Sequence, residues 1–468
     1  MIKPIAVLVE DDPEQAEISR AVLESAGFEI QYFEDLATVL KFLGSAAENI
    51  DMFVLDRRLP LNIGEPASDE LGDELLARVR EGYPDARLLV FTGYATVRHV
   101  QDALSGGGQL PSQSEVAIDR ITVLEKDQSL EFKQHVAEFR QLIQRLDDIE
   151  LTTPDGTKLP PIDQRVLRRL AFEYRAVSVS VIPLTGGLTT AEVWKCELMT
   201  MEGHVSTVVA KKVESTRTRG GLPELLPRVS TTATLDSLSG LMAGSKLNLL
   251  QVAGEDPRAL MDLIGSNPEH AVELVRPIWN SLSAVADQRR SLPIADICGP
   301  LIEWNELEGR LVGREVQVPP GSLTATIRFG VRHGDLHPGN ILVDENQAVL
   351  IDFDSTTFGA GVLDPVTMLL STLVHPSSPI RGCNWPDENE ISTKFGTSDF
   401  GVGHQSEAWF KGLFGWLTDC RTSDREFWAV VLAYSSRQLE YPDVEADSPT
   451  VDRLLALCRL AVQKLLDT

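Results

Sequence analysis

Two acids and an asparagine lie close together in the sequence, in a pattern suited to phosphoryl transfer. Asp335 and Asn340 occupy one short turn between two runs of branched aliphatic residues, and Asp352 ends the second run. A hairpin that pairs 340–343 with 348–353 would bring Asp352 back beside the turn. One acid can then orient an attacking hydroxyl, while the asparagine and the other acid hold Mg²⁺. Phosphoryl transfer from a nucleotide needs this set, because positioning and charge neutralisation stabilise its transition state.

A second set of polar residues occurs in the first 130 positions. Each follows, directly or closely, a short and almost wholly apolar run: Asp11, Asp12, Asp56, Thr92 and Lys126. Such runs alternate five times with helical patterns, which predicts a doubly wound parallel sheet with helices on both faces. The carboxyl ends of parallel strands meet at one edge of a sheet, so these side chains should converge. Three converging carboxylates repel one another unless a cation lies among them, and Mg²⁺ is the expected ion.

Over residues 1 to about 147, this pattern resembles the receiver domain of two-component response regulators. The resemblance implies that Asp56 is the phosphoacceptor and that Asp11 and Asp12 ligate Mg²⁺ together with it. It also implies that Thr92 and Lys126 read out phosphorylation. A cognate histidine kinase or phosphotransfer protein is the implied partner, and a homodimer through the receiver is compatible with the resemblance.

Some features of the sequence depart from the usual receiver, and one of its acids has an alternative structural role. The loop that follows Asp56 is long, and Val123 stands where many receivers carry an aromatic switch residue. Asp12 precedes a proline and could instead be a helix N-cap. A degenerate receiver that serves only for docking or dimerisation is therefore the alternative interpretation of this half.

A glycine pair and a lysine-bearing strand could hold nucleotide phosphates. Gly186 and Gly187 lie between two predicted strands, and glycine lets the backbone approach a phosphate closely, although such a pair is more often only a hairpin. With period-two alternation, only one of Lys211 and Lys212 can face the nucleotide. An alanine two residues earlier, as in the Val-Ala-x-Lys strand of protein kinases, favours Lys212 and leaves Lys211 facing solvent. Glu224 could pair with that lysine, or could be an exposed residue at the start of a helix.

Residues 165–468 resemble the aminoglycoside phosphotransferase and choline kinase branch of the protein-kinase-like fold, most strongly over 331–364. The resemblance implies that Asp335 is the catalytic base, that Asn340 and Asp352 ligate Mg²⁺, and that the glycine pair and the lysine hold ATP or another nucleoside triphosphate. Three further residues are expected to support the loop: His333, Asp354 and Asp364.

These patterns predict the domain organisation. We expect a receiver with a flavodoxin-like five-stranded parallel sheet at 1–147, a linker at 148–164 and a two-lobed kinase-like domain at 165–468. The lobes of that domain are expected at about 165–255 and 256–468. The predicted fold class is thus α/β followed by α+β.

Composition limits the classes of function. A chain of 468 residues is too long for one ordinary core, so more than one domain is expected. The net charge of −26 argues against nucleic acid as a partner, because phosphate contact needs clustered Lys and Arg. Scattered cysteines without CxxC pairs favour a reducing cytosol. The sequence shows neither a signal peptide nor an apolar run long enough to span a bilayer, so a cytoplasmic protein without a membrane partner is predicted.

The function predicted from these observations is a response regulator whose receiver, phosphorylated on Asp56, controls an ATP- and Mg²⁺-dependent phosphotransferase. The acceptor would be a hydroxyl of a small molecule or a protein, which the sequence does not identify. One alternative is a signalling scaffold whose kinase-like half binds nucleotide without catalysis. Another is a protein kinase or nucleotidyl transferase built on the same fold.

Overall fold

The computed structural model of the protein describes most of the chain. The described residues are 3–45, 50–92, 108–110, 118–154, 156–184, 192–214, 231, 234–242, 244–254, 257–344 and 347–467. They form two compact units. The first comprises the described residues up to 184 together with 192–214 and 234–252, and the second comprises residue 231 and 253–467.

The N-terminal part of the first unit is a parallel sheet with helices on its faces. Its strands are β1 (Ile5–Val9), β2 (Glu29–Phe33), β3 (Ile50–Asp56), β4 (Arg87–Thr92) and β7 (Ile121–Glu125), with a small pair β5 (Gln109–Leu110) and β6 (Ile118–Asp119) beside them. Its helices are α1 (Pro13–Ser25), α2 (Leu36–Gly44), α3 (Asp69–Gly82) and α4 (Ser129–Asp147). The strand order is β2-β1-β3-β4-β7, and all four pairings are parallel. The predicted doubly wound five-stranded sheet is therefore confirmed; a further helix predicted at 96–104 lies outside the described residues.

The rest of the first unit is a six-stranded sheet. Its strands are β8 (Glu150–Thr152), β9 (Ala176–Pro183), β10 (Val193–Thr200), β11 (Val205–Glu214), β12 (Thr234–Leu238) and β13 (Ser245–Leu250). They follow the order β12-β13-β11-β10-β9-β8, antiparallel except for the β8–β9 pair. Helix α5 (Pro161–Glu173) precedes β9. The segment predicted as a linker, 148–164, thus contains a paired strand and the first turn of a helix.

One hydrophobic core runs through both sheets of the first unit. It joins Phe139 and Leu146 of α4, Leu170 of α5, and Val181 and Leu249 of the six-stranded sheet. Apolar burial is the main favourable term in folding, so this shared core makes the two parts one packed body. The domain boundary expected at residue 147 stays a prediction.

The second unit is mainly helical. Its helices are α6 (Leu260–Ser266), α7 (Pro268–Ala284), α8 (Ile294–Cys298), α9 (Trp304–Val312), α10 (Leu363–Val374), α11 (Glu388–Lys394), α12 (Glu407–Cys420), α13 (Asp424–Gln438), α14 (Pro442–Glu445) and α15 (Ser448–Asp467). Its strands are β14 (Arg258–Ala259), β15 (Gln288–Pro293), β16 (Thr324–Arg332), β17 (Ile341–Asp344), β18 (Gln347–Leu350) and β19 (Thr357–Ala360). Trp409, Trp416 and Phe427 are fully buried in its core, as expected for aromatic residues at helical spacing. None of the helices in the described ranges combines the length and apolar character that a membrane span requires.

A buried acid in the second unit makes its stability depend on pH. Glu426 is fully buried near the start of α13, where one carboxyl oxygen accepts the N–H groups of Thr422 and Ser423 and the other has no hydrogen-bond partner. Burial raises the pKa of Glu426 from 4.5 to about 7. The folded state therefore holds a proton that the unfolded chain releases above its lower pKa. The contribution of this bound proton to the free energy of unfolding is fully present below pH 4.5 and is lost as the pH rises to about 7.

Replacing Glu426 with Gln should raise the free energy of unfolding by about 3–4 kcal/mol at pH 8, because each pKa unit corresponds to about 1.4 kcal/mol. The amide keeps the capping position, since Gln also serves there. Below about pH 4.5 the free energy of unfolding of the variant should be close to that of the wild type, because Glu426 is then protonated in both the folded and the unfolded state. Urea unfolding at both pH values measures the difference, with the exposed Glu388→Gln as control. An equal change at the two pH values would contradict the buried-acid account.

Candidate functional site

The turn that carries Asp335 joins β16 to the β17–β18 hairpin. The hairpin has the predicted pairing, with Ile341 opposite Leu350 and Asp344 opposite Gln347. Its second strand ends at Leu350 rather than at residue 353. Asp352 has a φ of +61°, a left-handed conformation that no extended strand can include. The chain therefore leaves the hairpin just before this acid.

A buried carboxylate holds the start of the turn. Asp364, in the first turn of α10, accepts the backbone N–H of His333 at 3.2 Å and that of Gly334 at 3.0 Å. The guanidinium of Arg332 lies 4.0 Å from the same carboxylate, and both side chains are fully buried. Gly334 has a φ of +84° and its α-carbon faces the carbonyl of Ser355 closely, so no side chain fits there. The backbone on either side of the turn is thus fixed.

Three hydrogen bonds connect the predicted catalytic residues. The Asn340 side-chain N–H donates to the Asp335 carbonyl at 2.8 Å, and the Asn340 carbonyl accepts the N–H of Ile351 at 3.0 Å. His333 Nε2 contacts the carbonyl of Ile351 at 2.9 Å, which supports the predicted structural role of this histidine. The structure therefore brings Asp335, Asn340 and the residue before Asp352 together. Because the amide nitrogen of Asn340 is engaged, its amide oxygen is the group that suits a cation.

The carboxyl group of Asp335 lies in a largely desolvated environment. Burial raises its pKa, and the nearby Asp352 adds to the rise. Arg437, His333 and His375 act in the opposite direction. A base of raised pKa at a site that receives a substrate hydroxyl is suited to proton acceptance. Arg437 and His375 were not predicted, because they lie far along the chain on or beside other helices and carry no local motif.

His337, to which the sequence assigned no role, is buried. Its Nδ1 accepts the N–H of Gly339 at 3.1 Å, and its ring stacks on His375 with centroids 4.9 Å apart. Burial lowers the pKa of His337 to about 4, so the ring is neutral near pH 7. It therefore shapes the turn. Asp354, predicted as a supporting acid, is exposed.

A second cluster of acids lies at the edge of the parallel sheet. Carboxylate oxygens of Glu10, Asp11 and Asp56 come within 4.8 Å of one another. Lys126 Nζ donates to Glu10 Oε1 at 2.9 Å and to Asp56 Oδ2 at 2.7 Å. Burial and the charge of Asp56 raise the pKa of Glu10 to about 7 against the opposing effect of Lys126. Oxygen ligands with unbalanced negative charge fit a hard divalent cation, so Mg²⁺ suits these residues.

The structure corrects one member of this set. Asp12 is the N-cap of α1, and its side chain accepts the N–H of Glu14 at 2.9 Å, which leaves it outside the cluster. Glu10 takes the predicted place because β1 ends at Val9, so that the next two residues reach the sheet edge. The proline after Asp12 was the signal for this alternative, because proline is favoured at the first helical position.

Thr92 ends β4 opposite Glu125, as the predicted position requires, although its side chain lies outside the described part of the chain. Val123 lies within β7 opposite Val90. Gly186, Gly187 and Glu224 also lie outside the described residues. Their predicted roles in nucleotide binding therefore stay predictions.

The two lysines of β11 lie on opposite faces of the sheet, and the expected solvent exposure of Lys211 is wrong. Lys211 is only 7% exposed. Lys212 shares a face with Ala210, which is buried in the core that includes α5. Its ammonium group binds Asp163 of α5 at 2.6 Å and Glu192 at 2.5 Å. The strand pattern alone could not reveal the contact of Lys212 with Asp163, because it does not show which face a helix covers.

Two family models match separate parts of the chain. Residues 6–110 match the response regulator receiver domain, and residues 276–381 match the phosphotransferase enzyme family. The resemblances on which the sequence interpretation rested are therefore confirmed, and with them the kinase-like fold class of the C-terminal part. The chain combines a receiver domain with a phosphotransferase-family domain. No curated protein matches the sequence.

Solved structures resemble each half at low identity. Choline kinase LicA from Streptococcus pneumoniae is 13% identical, with 66% of this chain and all of that chain covered and a TM-score of 0.35. Amicoumacin kinase hAmiN, solved with AMP-PNP, Ca²⁺ and Ami, is 14% identical, with 65% and 94% covered and a TM-score of 0.33. A CheY-like receiver from Methanospirillum hungatei JF-1 is 20% identical, with 30% and 99% covered and a TM-score of 0.22.

Proposed function

We propose that the protein is a response regulator in which phosphorylation of Asp56 controls an ATP- and Mg²⁺-dependent transfer of phosphate to a hydroxyl group. The observation that carries the proposal is the arrangement of Asp335, Asn340 and Asp352 around one fixed turn. The N–H of Ile351 donates to the Asn340 carbonyl, and His333 contacts the Ile351 carbonyl, so this turn is held against the residue before Asp352. The family match over 276–381 supports the same chemistry.

In this proposal, Asp335 orients the acceptor hydroxyl and accepts its proton as the oxygen attacks the terminal phosphorus of ATP. The bond from that phosphorus to the bridging oxygen breaks, and ADP leaves. Burial raises the pKa of Asp335, so its carboxylate is a better proton acceptor than an exposed one. Asn340 and Asp352 would hold Mg²⁺, which neutralises phosphate charge when bound.

At the receiver, Asp56 would take the phosphoryl group from a histidine kinase or a phosphotransfer protein. Glu10, Asp11 and Asp56 would hold the Mg²⁺ that this step requires. Lys126, which already contacts Asp56 at 2.7 Å, would then contact the added phosphoryl oxygens. The five cysteines are unpaired, so a cytoplasmic location, where thiols stay reduced, is part of the proposal.

The test uses the full chain with Mg²⁺-ATP and a panel of alcohols, amino alcohols, aminoglycosides and proteins. Each acceptor is assayed with and without acetyl phosphate, in the wild type and in Asp56→Asn. We expect transfer to at least one acceptor class, with a rate that acetyl phosphate changes only in the wild type. Calorimetry with Mg²⁺-ATP completes the test. Absence of nucleotide binding would defeat the proposal, and tight binding without transfer to any acceptor would favour a catalytically inactive scaffold.

We further propose that Lys211, rather than Lys212, contacts the nucleotide phosphates. The two lysines lie on opposite faces of the sheet, and α5 covers the face of Lys212, whose ammonium group binds Asp163 and Glu192 there. Replacing Lys211 with Ala should weaken ATP binding about 10-fold or more, since hydrogen bonds to charged groups contribute about 1.5–3 kcal/mol.

The matched variant Lys212→Ala should change ATP affinity by less than about threefold, and should lower stability instead because it leaves Asp163 buried without its cation. Calorimetric Kd values and urea unfolding of both variants make the comparison. A larger loss of ATP affinity in Lys212→Ala than in Lys211→Ala would restore the original preference for Lys212.

A further inference from the structure

Helix α5 is the element of the first unit that contacts both the receiver sheet and the lysine strand through charged groups. Arg165 is the fifth residue of the helix and reaches the receiver sheet, and Asp163 lies in the first turn and reaches β11. Both contacts are ion pairs between largely buried side chains. Two such pairs within three residues of one helix are a direct connection between the two sheets.

The receiver end of this connection is Asp51. It is the second residue of β3, and the phosphoacceptor Asp56 is the last. One carboxylate oxygen of Asp51 accepts the N–H of Ile5, the first residue of β1, at 2.9 Å. The other lies 2.5 Å from Arg165 Nη2. The Asp51 carboxylate therefore connects α5 to the first residues of β1 and β3. Glu10, Asp11 and Asp56 lie at the opposite ends of these two strands.

Arg165 has a second contact that fixes its direction. Its Nε donates to the carbonyl of Leu241 at 3.0 Å, in the connection between β12 and β13. The same connection is held from the receiver side by Asp85, which accepts the N–H of Gly240 at 3.0 Å and of Gly244 at 3.1 Å. The connection between β12 and β13 is thus held both by Arg165 of α5 and by Asp85, which lies just before β4.

The other end of the connection is Lys212. Its ammonium group is 2.6 Å from Asp163, and its neighbour in β11 is Lys211, which faces the opposite side of the sheet. Breaking a buried ion pair leaves an uncompensated charge and is strongly unfavourable. The two pairs therefore resist separation, so a shift of β1 or β3 is transmitted to β11 rather than absorbed between them.

We propose that α5 couples the Asp56 site to the lysine strand, through Asp51–Arg165 at one end and Asp163–Lys212 at the other. Phosphorylation of Asp56 replaces its single carboxylate charge with a phosphoryl group that carries about two negative charges, beside Glu10 and Asp11, which changes the forces on the far ends of β1 and β3. Helix α5 carries the resulting displacement to β11, and so adjusts the position of Lys211. The inference specifies how the proposed function is regulated and rests on that function.

Hydrogen–deuterium exchange of the full chain tests the coupling without any acceptor or nucleotide. The probe is beryllium fluoride with Mg²⁺, which mimics a phosphoryl group on Asp. In the wild type, we expect exchange to change in β1 and β3 and also in 161–173 and 205–214. The exchange rate of the peptides 161–173 and 205–214 should change about fivefold or more, which is the lower end of the range for coupling between linked sites. Asp56→Asn should abolish every change.

Arg165→Met is the decisive variant. It should keep the response of β1 and β3 and lose the response of 161–173 and 205–214, while Arg165→Lys restores part of it. Asp51→Asn breaks the same pair from the other side and should behave like Arg165→Met. Glu173→Gln, at the far end of α5, pairs only within its own helix and should respond as the wild type.

Two results would overturn the coupling: a wild-type response confined to the receiver, or an unchanged distant response in both Arg165→Met and Asp51→Asn. If the probe leaves β1 and β3 unchanged, the proposed phosphoacceptor role fails, and the inference fails with it. If exchange is coupled but calorimetry detects no ATP binding, the coupling stands and the proposed transferase function is rejected.

Discussion

Replacing Asp335 with Asn should lower kcat for phosphoryl transfer by about 10²–10⁴-fold, the usual contribution of a positioned general base. The amide keeps the shape of the side chain but cannot accept the proton of the acceptor hydroxyl. The turn should survive, because the hydrogen bond from Asn340 goes to the Asp335 backbone carbonyl and not to its side chain. Affinity for Mg²⁺-ATP should therefore stay within about threefold of the wild type, a difference below 1 kcal/mol.

Initial rates and calorimetric Kd values for the same protein samples distinguish this outcome from misfolding. Asp452→Asn, the same chemical change at an exposed position of α15, is the matched control and should keep full activity. Equal turnover in the wild type and Asp335→Asn would remove Asp335 from the mechanism. A parallel loss of ATP binding would assign it to nucleotide binding instead.

A different kinetic signature is expected for Asp352. Its replacement with Asn removes a charge that would hold Mg²⁺, so the Mg²⁺ concentration for half-maximal rate should rise about 10-fold or more, as expected when a charge-assisted contact is lost. Saturating Mg²⁺ should recover part of the rate in Asp352→Asn but none in Asp335→Asn. Recovery of both variants by Mg²⁺ would contradict the separate roles proposed for the two acids.

The sequence predicted what depends on neighbouring residues. The turn with Asp335 and Asn340 and the hairpin that returns the chain towards Asp352 span fewer than twenty residues, so spacing and strand alternation were sufficient. The parallel sheet was also predictable, because each strand is a short apolar run and each connecting helix has its own periodicity. Even the N-cap role of Asp12 had a local signal, the proline that follows it.

What the sequence did not predict depends on contacts between distant segments. The contact that holds Lys212 follows from α5, which covers one face of the six-stranded sheet and supplies Asp163 to this lysine. Period-two alternation assigns the lysines to opposite faces but cannot say which face a helix will cover. The approach of Arg437 to Asp335, across about a hundred residues, has the same origin.

The predicted linker is the clearest instance of this limit. Its Pro-, Thr- and Gly-containing composition is typical of a turn-rich connector, yet it contributes β8 to the six-stranded sheet and leads directly into α5. Turn-forming residues indicate where the chain changes direction, but they do not show whether the flanking surfaces pack. Here they do pack, since Leu146 and Leu170 belong to one core. A receiver built into its neighbour in this way can transmit a change without a flexible hinge.

Replacing Asp364 with Ala should lower the free energy of unfolding of the second unit by about 3–5 kcal/mol, the range for removing one partner of a buried charged network. The carboxylate is fully buried, accepts two backbone N–H groups of the catalytic turn and faces Arg332 at 4.0 Å. Without it, the guanidinium keeps its hydrogen bond to the carbonyl of Leu282 but loses its counter-charge, and both N–H groups lose their acceptor. Asp364→Asn keeps the shape and one acceptor oxygen, so its loss should be smaller, about 1–3 kcal/mol.

Urea unfolding followed by tryptophan fluorescence measures this loss, because every tryptophan except Trp194 lies in the second unit. Phosphoryl transfer should fall in both variants under conditions where they remain folded, since Asp364 positions the backbone that leads to Asp335. This joint loss of stability and rate separates Asp364 from Asp335, whose replacement should affect the rate alone. A destabilisation below about 1 kcal/mol in Asp364→Ala would mean that the turn is held by its remaining hydrogen bonds, such as that of His333 to Ile351.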